Sequence, residues 1–153
     1  MSSVPLFSVQ SLSKNYGPQL GCAEVSFDLW PGEVLGIVGE SGSGKSTLLK
    51  CAAGQLLPSS GQVVYNTKEY GQREIFEMAE AERRLLSRTD WAFVHQNPRD
   101  GLRLNVSAGG NVGERLMAIG GRHYGDLRSA AIDWLERVEI NETRIDDRPS
   151  TFS

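Results

Sequence analysis

Gly39-Glu40-Ser41-Gly42-Ser43-Gly44-Lys45-Ser46-Thr47 is the stretch that decides how this chain is read. It fits G-x-x-x-x-G-K-[ST], the phosphate-binding loop. The preceding Val34-Leu35-Gly36-Ile37-Val38 is an unbroken apolar run and predicts a short buried strand. The following Lys45 to Ala53 predicts a helix that Gly54 can close. Gly39, Gly42 and Gly44 let the backbone turn and bring N–H groups close to an anion. A helix N-terminus adds unpaired donors and partial positive charge. In such a loop the lysine, here Lys45, reaches the β/γ-phosphates, and the hydroxyl of Ser46 is placed for Mg²⁺. The loop therefore predicts a nucleoside triphosphate, with Mg²⁺, as ligand. It does not say what the triphosphate is used for.

Working outward, the N-terminal side predicts strands. Met1 to Pro5 reads as a loose end and Leu6 to Val9 as a first strand. Tyr16-Gly17-Pro18 enters a turn. Glu24 to Leu29 alternates, with Val25, Phe27 and Leu29 on one face, the mark of a half-buried strand. Trp30-Pro31-Gly32-Glu33 is a turn. An antiparallel element is thus built before the phosphate loop.

On the C-terminal side, Gln62 to Tyr65 reads as a short strand and Asn66 to Arg73 as polar loop. Glu74 to Arg88 reads as helix. Trp91 to Val94 reads as a further buried strand, ending at His95-Gln96-Asn97-Pro98. Asp100 to Gly110 reads as irregular. Val112 to Ile119 and Asp126 to Val138 are two helices. The order is α/β, with a helical segment towards the C-terminus.

A chain of 153 residues has room for one domain with a real core. Its net charge of −3 gives no electrostatic case for nucleic acid or an anionic membrane surface. No apolar run reaches membrane-spanning length, so the expectation is a cytoplasmic protein whose membrane link, if any, runs through a partner. Cys22 and Cys51 form no C-x-x-C pair, and Cys51 reads as a small core residue.

Taken together, these motifs resemble the ATP-binding subunit of ABC-type ATPases, over nearly the whole chain but only the N-terminal half of such a domain. The resemblance implies a P-loop core with an N-terminal antiparallel β element and a partial helical subdomain. It divides 1–153 into a nucleotide-binding core over roughly 1–96 and a Q-loop with partial helical subdomain over 97–153. It places Tyr16 where the family stacks an aromatic on adenine. It makes Gln96 the Q-loop glutamine, able to ligate Mg²⁺ or hold the attacking water. Arg148-Pro149-Ser150-Thr151-Phe152-Ser153 resembles the approach to the family's signature motif, with Ser153 as the signature serine. The Gly-Gly that should follow is absent, as are the second acidic motif, the catalytic glutamate and the later histidine. At most weak ATP binding, without turnover, is therefore the expectation for these residues. In the family the strand of the second acidic motif lies in the core sheet near the phosphate-loop strand, so apolar strand faces are expected to be left open.

Within the family, three stretches are most similar to the ATP-binding protein of the phosphonate carbon–phosphorus lyase system. They are Phe27 to Glu33, His95 to Leu102, and Val106 to Met117 with Arg122 to Asp126. This subfamily resemblance implies docking on subunits of the lyase core, with the Q-loop surface facing them, and pairing with a second ATPase domain as a homodimer. The alternatives are the ATPase subunit of an oligopeptide-type importer, or a nucleotide-binding module without turnover.

Overall fold

The computed structural model describes residues 4–67 and 71–152. The chain divides into two compact units, Met1–Arg84 and Leu85–Ser153. The first holds a four-stranded antiparallel sheet in the order β2-β1-β3-β4. Its strands are β1 (Phe7–Tyr16), β2 (Gln19–Leu29), β3 (Ser60–Thr67) and β4 (Gly71–Glu74). Helix α1 (Lys45–Ala52) packs on β1 and β2.

Irregular pairing shapes the β1–β2 hairpin, with three register shifts along it. The pairing register shifts between Val9 and Leu12, where Ser11 has φ 46°, and again near Glu24, with φ 48°. The first shift brings Val9 and Leu12, three positions apart, both into the core at 1% and 0% exposure. Serine hydroxyls take up two N–H groups at these irregularities: Ser11 N donates to Ser26 Oγ at 2.7 Å and Glu24 N to Ser13 Oγ at 2.8 Å. Beyond them, Val25, Phe27 and Leu29 form the expected half-buried face. Val63, Tyr65 and Ile75 join Val9, Leu12, Leu48 and Cys51 among the buried apolar residues.

Helix α1 ends as the sequence suggests. Gly54 takes φ 69° and donates to Cys51 O at 3.0 Å, while Gln55 N and Leu56 N both donate to Lys50 O. The expected turn also forms at residues 30–33, with Gly32 at φ 82° and Glu33 N donating to Trp30 O at 3.0 Å.

Helix α2 (Glu80–Thr89) crosses the boundary between the units. The second unit contains α3 (Ala108–Ala118) and α4 (Tyr124–Arg137). They enclose a small core of Ala108, Ala131, Leu135 and Ile145, with Val112, Ile132, Ile140 and Phe152 packed against it. Ala108 N donates to Asp147 O at 2.7 Å and Gly109 N to Ile145 O at 2.8 Å, so later chain satisfies donors at the start of α3. Arg128 on α4 makes a two-pronged contact with Asp146, 2.9 Å on each arm. That guanidinium holds the Asp146 carboxyl below the usual carboxylate range.

Several sequence expectations are corrected. Val34 to Val38 is not a strand: residues 33–40 carry no regular structure, and Val34 and Val38 are 94% and 92% exposed. Trp91 to Val94 is not a strand either, and Val94 is 91% exposed. Both runs are apolar enough for a buried parallel strand, but such a strand needs hydrogen-bonding neighbours on its flanks. Among the described residues, no strand pairs with either run.

The stretch from Asn66 to Arg73 is not all loop. β3 continues to Thr67 and β4 starts at Gly71, while 68–70 lie outside the described residues. Glu74 belongs to β4, so helix begins only at Glu80. The first strand runs on to Tyr16, well past Val9. α3 begins at Ala108, inside the segment expected to be irregular, because Ser107 caps it by accepting from Gly110 N at 3.2 Å.

Candidate nucleotide site

The site is built in the first unit from the phosphate loop, the start of α1 and the tip of the β1–β2 hairpin. Gly44 is the N-cap of α1 with φ 91°, in the left-handed region. A side-chain carbon there would lie 1.8 Å from Gly21 O on β2. Glycine is therefore required both by the turn and by the close approach of the two backbones. A carbon on Gly39 would meet Ser43 Oγ at 2.8 Å. The loop is thus closed against itself as well as against the sheet.

Lys45 folds back over this loop. Its Nζ donates to Gly39 O at 2.7 Å, to Glu40 O at 2.5 Å and to Ser43 Oγ at 3.3 Å. The ammonium is thereby fixed above the turn closed by Ser43 N donating to Glu40 O at 3.2 Å. No side chain caps α1, and its first turn carries no acidic residue. The helix N-terminus therefore keeps N–H donors and positive potential for an anion. Gly42 and Ser41 lie exposed on the loop's outer side, and Ser46 is exposed in the first turn of α1. The chemistry of this cradle, N–H donors with one ammonium, suits an anion. Ser46 can give one hydroxyl to Mg²⁺; among the described residues no group of three or more His, Cys, Asp or Glu is arranged for a metal.

Tyr16 is brought to the same place. It ends β1 at a two-residue hairpin turn, with Gly17 at φ 59° followed by Pro18, the glycine-first pattern that suits a tight hairpin. Its hydroxyl lies 3.5 Å from Thr47 Oγ1. Its Cε2 lies 3.0 Å from where a side-chain carbon on Gly21 would sit. The residue remains 48% exposed, leaving π-surface for a base.

Gln96 belongs to the second unit, where it is exposed. Asn97 caps the 3-10 turn Pro98–Gly101 by accepting from Arg99 N at 3.1 Å, and the ring of His95 lies 4.9 Å from that of Phe93. Ser153 lies outside the described residues. The structure thus brings Tyr16 beside Thr47 at the end of residues 39–47, while Gln96 stands in the other unit.

Sequence reasoning missed Gly21, and also Lys14, whose ammonium lies over the Tyr16 ring, 5.6 Å from its centroid. Gly21 sits between Tyr16, Thr47 and Gly44, a proximity that only the folded hairpin creates. Lys14 precedes Tyr16 by two residues on one strand, so the period of 2 could have flagged it.

Residues 22–153 match the ABC transporter family model, and the chain belongs to that family. It is 60% identical over 149 residues to a candidate phosphonates utilization ATP-binding protein, PhnK, of Escherichia coli K12, covering 97% of this chain and 57% of the relative. It is 32% identical over 154 residues to the dipeptide transport ATP-binding protein DppD of the same organism, covering 97% of this chain and 47% of the relative. The chain thus spans about half the length of these curated relatives. Among solved structures, the dimeric ABC transporter cassette MJ0796 superposes with a TM-score of 0.82 at 24% identity, over 96% of this chain and 63% of that one. The cassette has also been solved bound to ADP and Pi, with a TM-score of 0.80 to this chain at 24% identity, over 96% of this chain and 63% of that one. These likenesses establish the fold as that of an ABC ATPase cassette.

Proposed function

We propose that this chain binds Mg-ATP as the ATP-binding subunit of the phosphonate carbon–phosphorus lyase system. The observation that carries the nucleotide part is the cradle itself: the Lys45 ammonium held by Gly39 O and Glu40 O beside the uncapped start of α1. The phosphonate part is supported by the 60% identity to PhnK. In this reading the amides of residues 39–47 and Lys45 hold the phosphates, Tyr16 stacks on the base, and Ser46 and Gln96 are the side chains offered to Mg²⁺. Mg²⁺ held there would supply charge neutralisation at the phosphates. Lys45 adds a positioned positive charge, and Gln96 orients the attacking water.

The reading includes hydrolysis by the longer proteins of the family, with a second ATP-binding domain completing the site. It includes a cytoplasmic location and docking on lyase subunits through the Q-loop surface. Residues 1–96 act as nucleotide core and 97–153 as Q-loop and coupling part. Among the described residues no helix is long and apolar enough to cross a membrane. An oligopeptide-type importer ATPase is the second reading, supported by the 32% identity to DppD.

Growth separates the two. A strain deleted for this gene should fail on methylphosphonate as sole phosphorus source, grow on phosphate, and take up dipeptides normally. Normal growth on methylphosphonate with lost dipeptide uptake would favour the importer reading.

A further inference from the structure

We propose that Lys14 is a positioning residue that sets the ring of Tyr16 for base stacking; this rests on the nucleotide-binding reading above. The Lys14 ammonium lies over the Tyr16 ring, 5.6 Å from its centroid, within the range of a cation–π contact. The same ammonium donates to Leu57 O at 2.8 Å, in the connection that follows α1. It is therefore fixed at two points, one on the ring and one on the backbone beyond the phosphate-loop helix. The ring is then restrained at its hydroxyl by Thr47 and across the ring by Lys14, and its Cε2 edge occupies the room that a side chain at Gly21 would need.

Two neighbouring bonds show that Lys14 is not what holds the hairpin in place. Ser59 N donates to Ser13 O at 2.8 Å, and Asn15 N donates to Ser59 Oγ at 3.0 Å. These tie the end of β1 to the same connection without any help from Lys14. Removing the ammonium should leave the strand where it is and free only the ring. Tyr16 ends its strand beside a turn and is half exposed, so it has few other contacts to fix its angle. A stacking platform that must find its angle on binding loses part of the stacking energy to ordering.

The test uses two ligands that differ in the base. ATP carries both base and phosphates; inorganic tripolyphosphate carries only phosphates. Binding of each, with Mg²⁺, is measured by calorimetry on the wild-type protein, Lys14→Met, Lys14→Arg and Tyr16→Ala. Lys14→Met keeps much of the apolar stem and removes the charge. The expected result is an ATP affinity about two- to fivefold weaker in Lys14→Met, the size of an exposed cation–π contact. Tripolyphosphate affinity stays unchanged in that variant, Lys14→Arg restores ATP affinity, and Tyr16→Ala weakens ATP by at least as much as Lys14→Met. Equal losses for both ligands would overturn the inference, because they would mark Lys14 as a general attractor of anions or a fold residue. Unchanged ATP affinity in Lys14→Met or in Tyr16→Ala would overturn it as well. A wild-type protein that binds neither ligand would instead remove the nucleotide reading, and the inference with it.

Discussion

A side-chain carbon on Gly44 would stand 1.8 Å from the carbonyl oxygen of Gly21. This backbone-to-backbone contact joins the phosphate loop to the hairpin that carries Tyr16. It packs the start of α1 directly against the hairpin that has Tyr16 at its tip.

The Gly44→Ala variant should therefore lose both stability and ligand binding. Alanine at φ 91° is strained, and its carbon would collide with β2. The left-handed conformation alone costs about 1–2 kcal/mol. Urea unfolding of the two proteins should show a loss of at least about that size, with the excess coming from the collision. An unchanged midpoint would mean that the contact is not made.

Cys51 gives a prediction about pH. Burial pushes its thiol above its ordinary value of 9.0, and the nearby Cys22 adds to that rise. The folded protein then holds the thiol proton more tightly than the unfolded chain. The contribution is fully present below the unfolded thiol pKa and is lost as the pH rises through the folded one. Stability should therefore fall above about pH 9 with a steeper slope in the wild type than in Cys51→Ala. Melting temperatures of both proteins from pH 7 to 10.5 check this; parallel curves would contradict it.

Val34 and Val38 bear on solution behaviour. At 94% and 92% exposure they present an apolar segment outside the sheet. Such segments seek pairing partners from other chains. Light scattering of the 153-residue chain should show association that grows with concentration, and Val34→Lys with Val38→Lys should suppress it. A monodisperse monomer with one cooperative unfolding transition would count against this.

Local signals made much of this fold legible. Lys45 to Gly54 carries its own start and stop, and the helix formed where expected. The alternation of Val25, Phe27 and Leu29 gave the face of β2. The phosphate-loop motif was legible because its chemistry is written into residue type and spacing, whereas Tyr16 was singled out only through the family resemblance. The misses share a different cause. Val34 to Val38 and Trp91 to Val94 have strand composition, but pairing depends on residues distant in the chain. β4 was missed because Gln72, Arg73 and Glu74 are polar, although they pair with Asn66, Tyr65 and Val64. The start of α3 was hidden by Gly109 and Gly110, which resemble breakers, while the cap at Ser107 marked the true beginning.

The most direct measurement is a calorimetric titration of Mg-ATP into the purified protein, with Lys45→Ala beside it. The Lys45 ammonium makes three hydrogen bonds within the loop, and in the proposed function it supplies the positive charge for the phosphates. The account predicts micromolar binding to the wild type and a loss of at least about tenfold in Lys45→Ala, the order expected for a charged hydrogen-bonding group. Equal affinity in the two proteins, or no binding to the wild type, would contradict the claim that this loop is a nucleotide site.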